Sequence, residues 1–141
     1  MSNPALSALQ RFYAAEELYS SSGRQDFGPV AATIHPEIVL FQPESLPYGG
    51  TWHGRTGFET WMKAFTAAWE YVRPRDPLLF EPSDNYIISL VTMEAKSRNT
   101  QGIVRMPMCQ IIRTSEGLPI EWRNFAWDTW ELNKVIGHFP A

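Results

Sequence analysis

The stretch Pro43-Glu44-Ser45-Leu46-Pro47-Tyr48-Gly49-Gly50-Thr51-Trp52-His53-Gly54-Arg55-Thr56-Gly57-Phe58 decides the reading of this chain. Its first half is a loop of turn formers. Thr51 to His53 has room for a short strand. Gly54 then precedes a helical pattern in which Phe58, Trp61, Met62, Phe65, Ala68, Trp69 and Val72 recur at steps of three and four, up to a stop at Pro74. On the other side of the loop, Glu37 to Pro43 reads as a strand. Its unbroken run Ile38-Val39-Leu40-Phe41 predicts burial on both faces.

Further outward, Ala5, Leu9, Phe12, Glu16 and Tyr19 share one face of an opening helix that ends over Ser20 to Gly23. A short second helix follows, with Phe27, Val30, Ala31 and Ile34 in phase, Pro29 in its first turn and Pro36 as its stop. The second half changes character. Pro77 to Pro82, Tyr86 to Lys96, Ile103 to Thr114 and Leu118 to Trp127 read as strands, with turns over Ser97 to Gly102 and Thr114 to Gly117. Asp128, with Glu131 three residues on, starts a closing helix. Helices gathered ahead of an antiparallel meander predict an α+β domain. We find no repeat or linker, so residues 1–141 are expected to form a single domain.

Composition narrows the function classes. Net charge is −3, with no basic cluster to neutralise phosphates, so no nucleic-acid partner is expected. No apolar run approaches the roughly 20 residues that cross a bilayer, so no membrane partner is expected. No signal-peptide pattern opens the chain, which points to a cytoplasmic location. One Cys excludes an internal disulfide. Aromatics make up 13% of the chain, with six Trp and eight Phe. Rings in that number fill a core or line an apolar cleft.

The element order, the quoted loop, His53-Gly54-Arg55 ahead of the third helix and the closing Trp127-Asp128 resemble the nuclear transport factor 2-like superfamily, and within it SnoaL-like and ketosteroid-isomerase-like proteins. The resemblance covers nearly the whole chain. It implies a cone-shaped, curved, mixed or antiparallel sheet wrapped on three helices of the N-terminal half, a cystatin-like α+β roll. The open end of the cone is then the pocket, for a small hydrophobic ligand, and a homodimer is the expected assembly. It leaves the chemistry open, because the fold hosts isomerases, cyclases, dehydratases, hydrolases and proteins without known activity.

Carried over residue by residue, the isomerase positions depart. The helix tyrosine matches Phe12, the basic aspartate before a proline matches Gln42, and the late-strand aspartate matches Cys109. A phenyl ring donates no hydrogen bond and a carboxamide abstracts no proton. A paired-aspartate hydrolase site would have to draw on Asp26, Asp76, Asp84 and Asp128, none read as lying inside a strand. A site pairing aspartate with a histidine after the third helix finds no histidine between Tyr71 and Asp76.

The candidates that remain for proton transfer are Glu16, Glu44 and His53. Glu16 interrupts an apolar helix face, where desolvation raises a carboxyl pKa; the bland alternative is an acid paired at the stripe edge. Glu44 lies two residues past the lost base, in a loop where acids are mostly solvated. His53 titrates near neutrality but sits where the fold often has a structural residue. Phe12, Gln42, Tyr48, Trp61, Phe65, Cys109, Arg123 and Trp127 are the expected ligand-binding residues. In the strand Ile103 to Thr114, Arg105, Pro107, Cys109 and Ile111 are read as sharing the inner surface, with Met106, Met108 and Ile112 outside. For Arg123, an ion pair with Glu121 or Glu94 is the alternative. The three His show no metal-ligand spacing and no phosphate loop is present, so a cofactor-free isomerase, cyclase or lyase is expected. The competing reading is a non-catalytic ligand-binding or dimerisation module of the same fold.

Overall fold

The computed structural model describes residues 4–139. Its elements are α1 (Pro4–Ser21), α2 (Gly28–Ala31), β1 (Val39–Gln42), β2 (Gly50–His53), α3 (Gly54–Ala68), β3 (Trp69–Ser83), β4 (Tyr86–Ser97), β5 (Ile103–Ser115), β6 (Leu118–Ala126) and α4 (Thr129–Ile136). The strands form one mixed sheet in the order β2-β1-β6-β5-β4-β3. β1 runs parallel to β6, and every other neighbouring pair is antiparallel. The sheet is curved and unclosed, and its inner face packs against α1 and α3. Phe12 of α1 joins the two, with its ring 4.7 Å from Trp122 of β6 and 5.7 Å from Phe58 of α3.

Three local readings are corrected. α3 ends at Ala68 rather than Pro74, and Trp69 to Val72 opens β3. Trp69 and Val72 still reach the core, so they continued the helical count although their backbone is extended. The chain leaves the helix where the Thr66 carbonyl accepts from Arg98 Nε (2.6 Å) and Arg24 Nη1 (2.9 Å), cations suited to a helix C-terminus. β3 then passes through Pro74 and Pro77, which an edge strand tolerates, and shifts register between Arg75 and Leu78. Asp76, expected outside a strand, lies exposed at that irregularity with φ of 51°.

β1 is not buried on both faces. Leu40 and Gln42 are buried, while Val39 and Phe41 are half-buried. The outer side of Phe41 is covered by the Arg123 guanidinium, 4.1 Å from the ring centroid.

β5 presents its even residues inward. Val104, Met106, Gln110 and Ile112 are buried, whereas Arg105 and Pro107 are exposed, and Cys109 and Ile111 lie on the outer side. The expected phase was one residue off, and a one-residue slip exchanges every side chain between faces.

The loop that decided the fold is held by short-range contacts. Gly49 N–H donates to the Leu46 carbonyl at 2.9 Å. A Cβ at Gly49 would collide with the Pro43 carbonyl oxygen and sit 2.8 Å from the Glu44 carbonyl carbon. Gly49→Ala should therefore destabilise the protein by about 1–3 kcal/mol, as overpacking against backbone does; an unchanged thermal midpoint would contradict this. Arg55 donates from Nε (3.1 Å) and Nη2 (2.8 Å) to the Ile34 carbonyl, so this part of the motif fastens α3 to the turn before β1. Asp128 caps α4, its carboxylate accepting from Glu131 N–H at 3.2 Å. Among the described residues no helix is long and apolar enough to cross a membrane.

Candidate active site

Between α1, α3 and the inner sheet face lies a chamber of about 50 Å³, several times the space one buried water needs. Rings form much of its wall. Trp61 stacks on Phe65 (4.9 Å, 27°), and Tyr48 meets Phe65 edge-on at 5.0 Å. Trp69 Nε1 donates to Tyr48 Oη at 3.2 Å. Burial pushes the Tyr48 hydroxyl up to about 12, against the opposing effect of that bond.

Polar groups reach the chamber from two sides. On α1, Tyr13 and Glu16 are three residues apart and share a face. Tyr13 Oη donates to Gln110 Oε1 at 2.7 Å. Burial, then the nearby Glu16 charge, raises the Tyr13 pKa. Glu16 makes no hydrogen bond or ion pair among the described residues, and burial pushes its carboxyl up to about 7. An unpartnered carboxylate in an apolar wall is costly to charge, so it exchanges its proton near neutrality. Glu16 also borders a second cavity of about 30 Å³, lined on its polar side by Ser20, Thr66, Glu70 and Arg98. On the sheet, Gln42, Gln110 and Asn124 face the chamber.

Of the candidates read from the sequence, the fold brings together Phe12, Glu16, Gln42, Tyr48, Trp61 and Phe65. Glu44 is exposed and lines a separate outer groove with Gln42, Asn124 and Arg123. His53 is exposed at the start of α3. Arg123 lies on the outer face and pairs with Glu121 at 3.3 Å, the ion pair that stood as the alternative to a ligand-binding role. Cys109 and Trp127 belong to an outer groove of about 450 Å³, and Trp127 is 84% exposed. Placing Cys109, Arg123 and Trp127 on the chamber wall is therefore corrected: Cys109 of β5 and Arg123 of β6 lie on the outer side of their strands, and Trp127 lies exposed just past the end of β6.

Three amide or phenol side chains of the chamber were missed: Tyr13, Gln110 and Asn124. Gln110 follows Cys109, so the one-residue phase error on β5 concealed it, whereas Tyr13 lies beside Phe12 on the edge of a correctly phased helix face. The signal was present: Gln110 is the polar member of the alternation Met106, Met108, Gln110, Ile112. Among the described residues no group of three or more His, Cys, Asp or Glu could hold a metal ion.

Solved structures align with the chain over nearly its whole length. An NTF2-like protein of unknown function from Burkholderia pseudomallei matches with a TM-score of 0.79 and 22% identity, over 96% of this chain and 98% of that one. The chain has the nuclear transport factor 2-like fold. Other proteins sharing this fold are TerC, co-crystallised with polyporic acid (TM-score 0.78, 17% identity, 95% and 98% covered), and a provisionally named polyketide cyclase from Xanthomonas campestris (0.74, 13%, 96% and 99%). No family model matches the sequence, and no curated protein sequence matches it.

Proposed function

We propose that this protein is a cofactor-free acid–base enzyme of isomerase, cyclase or dehydratase type, acting on a compact hydrophobic carbonyl compound of polyketide, terpenoid or steroid-like character. The observation that carries the reading is Glu16: a half-buried, unpartnered carboxyl facing an apolar chamber, desolvated enough to be poised near neutrality at about 7. Apolar pockets with few placed polar groups are the usual form of small-molecule sites, and perturbed acids tend to mark functional sites. Glu16 takes the proton next to the carbonyl. The described structure offers no strong acid to protonate the resulting oxyanion, so hydrogen bonds must stabilise it. Names of similar folds agree in kind: one was co-crystallised with polyporic acid, another carries a polyketide-cyclase name.

The test screens such carbonyl compounds against wild type, Glu16→Gln, Glu44→Gln and His53→Asn. Turnover lost in Glu16→Gln and retained in the other two is expected. Turnover unaffected by Glu16→Gln would refute the assignment.

The non-catalytic reading keeps the same chamber as a ligand site. Either reading accommodates a homodimer through the outer sheet face. Its apolar character does not come from Met106 and Ile112, which are buried inside. Leu78, Leu90, Cys109 and Phe125 follow one another across four strands, and Leu78 and Phe125 are 62% and 51% exposed. Light scattering after size exclusion should show twice the chain mass for wild type and a monomer for Leu90→Glu. A monomeric wild type would remove the dimer.

A further inference from the structure

One row of the sheet register interrupts the apolar lining of the chamber. Ser89 pairs with Gln110 across β4 and β5, and Gln110 pairs with Asn124 across β5 and β6. The parallel register sets Leu40 beside Trp122 and Phe41 beside Arg123, which brings Gln42 alongside Asn124. Three carboxamides thus stand on three neighbouring strands. At the usual strand spacing the row spans about 10 Å. Ile112 and Trp122 flank it on one side and Met108 on the other.

Hydrogen bonding polarises the row. Trp122 Nε1 can only donate, and it donates to Asn124 Oδ1 at 3.1 Å. Tyr13 occupies Gln110 Oε1. The amino groups of Asn124 and Gln110, and the whole Gln42 amide, are left without a partner among the described residues. They are not sealed off either: among the described residues, the partnerless side-chain atoms shut away from solvent are Trp61 Nε1 and Asn133 Oδ1. The row therefore offers mainly N–H donors. Among the described residues no Lys or Arg lines the chamber, and Glu16 adds a carboxyl, so a negatively charged ligand finds no counter-charge there.

We propose that the Gln42–Asn124–Gln110 row binds the oxygen-bearing edge of a neutral, flat ring compound with acceptor oxygens at neighbouring positions, its apolar body lying against Phe58, Trp61 and Phe65. The proposal rests on the reading of the chamber as a small-molecule site and narrows its substrate class.

The test uses 1,2-dimethoxybenzene, which carries two adjacent acceptor oxygens and no donor, and 1,2-diethylbenzene, its oxygen-free analogue. Both are titrated into wild type while the side-chain NH2 resonances of Gln42, Gln110 and Asn124 are followed. Dimethoxybenzene should move them and diethylbenzene should not. In Gln42→Met, which removes an amide that bonds no described residue, the ratio of the two dissociation constants should move about tenfold toward the hydrocarbon. 2-Methoxybenzoate should bind at least tenfold more weakly than dimethoxybenzene. The proposal is overturned by equal shifts from both neutral probes, by no binding of dimethoxybenzene up to its solubility, by an unchanged ratio in folded Gln42→Met, or by 2-methoxybenzoate binding as tightly as dimethoxybenzene. Should that variant not fold, the wild-type amide shifts decide alone. These readouts need no turnover: a failed acid–base assignment appears as an active Glu16→Gln, and a failed amide row appears as an unchanged probe ratio.

Discussion

Glu16→Gln should abolish turnover and, at pH 8, make the protein more stable than wild type. Both effects come from one group. Burial raises the Glu16 carboxyl from its ordinary value of 4.5 to about 7. Between those values the folded protein holds a proton that the unfolded chain has released. The native state is therefore favoured most fully below pH 4.5. That contribution declines as pH rises through the window and is gone above about 7. The swing is on the order of 3 kcal/mol, because each pH unit between the two titrations corresponds to about 1.4 kcal/mol. Gln keeps the shape without the charge, so the variant should match wild type near pH 4 and exceed it at pH 8, where wild type carries a partly desolvated carboxylate. Urea unfolding at the two pH values measures this; equal stabilities at pH 8 would show that Glu16 is solvated. For activity, the carboxylate is the base, so kcat/KM of wild type should rise with pH to a plateau above about 7. Loss of the base should lower kcat by roughly 10²- to 10⁴-fold. A stabilising substitution that removes activity is the pattern expected of a charge kept in an unfavourable place for its chemistry.

Phe12→Ala should have the opposite effect on stability. Phe12 is 2% exposed and contacts rings from α3 and β6 at once, Phe58 at 84° and Trp122 at 64°. Truncation removes the transfer energy of the ring and leaves a void joined to the chamber, a loss of about 3–5 kcal/mol. Small domains have only about 5–15 kcal/mol in total, so the variant should be marginal, with its urea midpoint lowered by roughly 2 M. Phe12→Leu should keep most of the stability. A Phe12→Ala midpoint within a few tenths molar of wild type would mean that the chamber collapses to fill the gap, and that Phe12 is a wall rather than the joint between helices and sheet.

The α+β class, the order of the elements and the stop and start signals were legible in the sequence because they are local. Helical steps of three and four marked α1, turn residues marked the Pro43 to Gly50 loop, and Asp128 marked the cap of α4. Glu16 was legible for the same reason, as one acid in an apolar stripe. Phase was not. Met106 to Ile112 mixes apolar residues on both sides, so alternation alone did not say which face turns inward. Register with β4 and β6 decided that Gln110 faces the chamber and Cys109 faces out. In the same way Trp69 and Val72 satisfied a helical count that the backbone abandons at Ala68.

By itself, then, the sequence determined the order of helices and strands, where the main turns fall, and that one acid interrupts an apolar helix face. Those are properties of neighbours within a few residues, set by sterics, periodicity and desolvation. Only the tertiary structure decided that Tyr13 meets Gln110 across 97 positions of chain, that Gln42, Asn124 and Gln110 form one row, and that Arg123, Cys109 and Trp127 lie outside. Those depend on strand register, which is chosen by the packing of the whole sheet against α1 and α3 and not by any single strand.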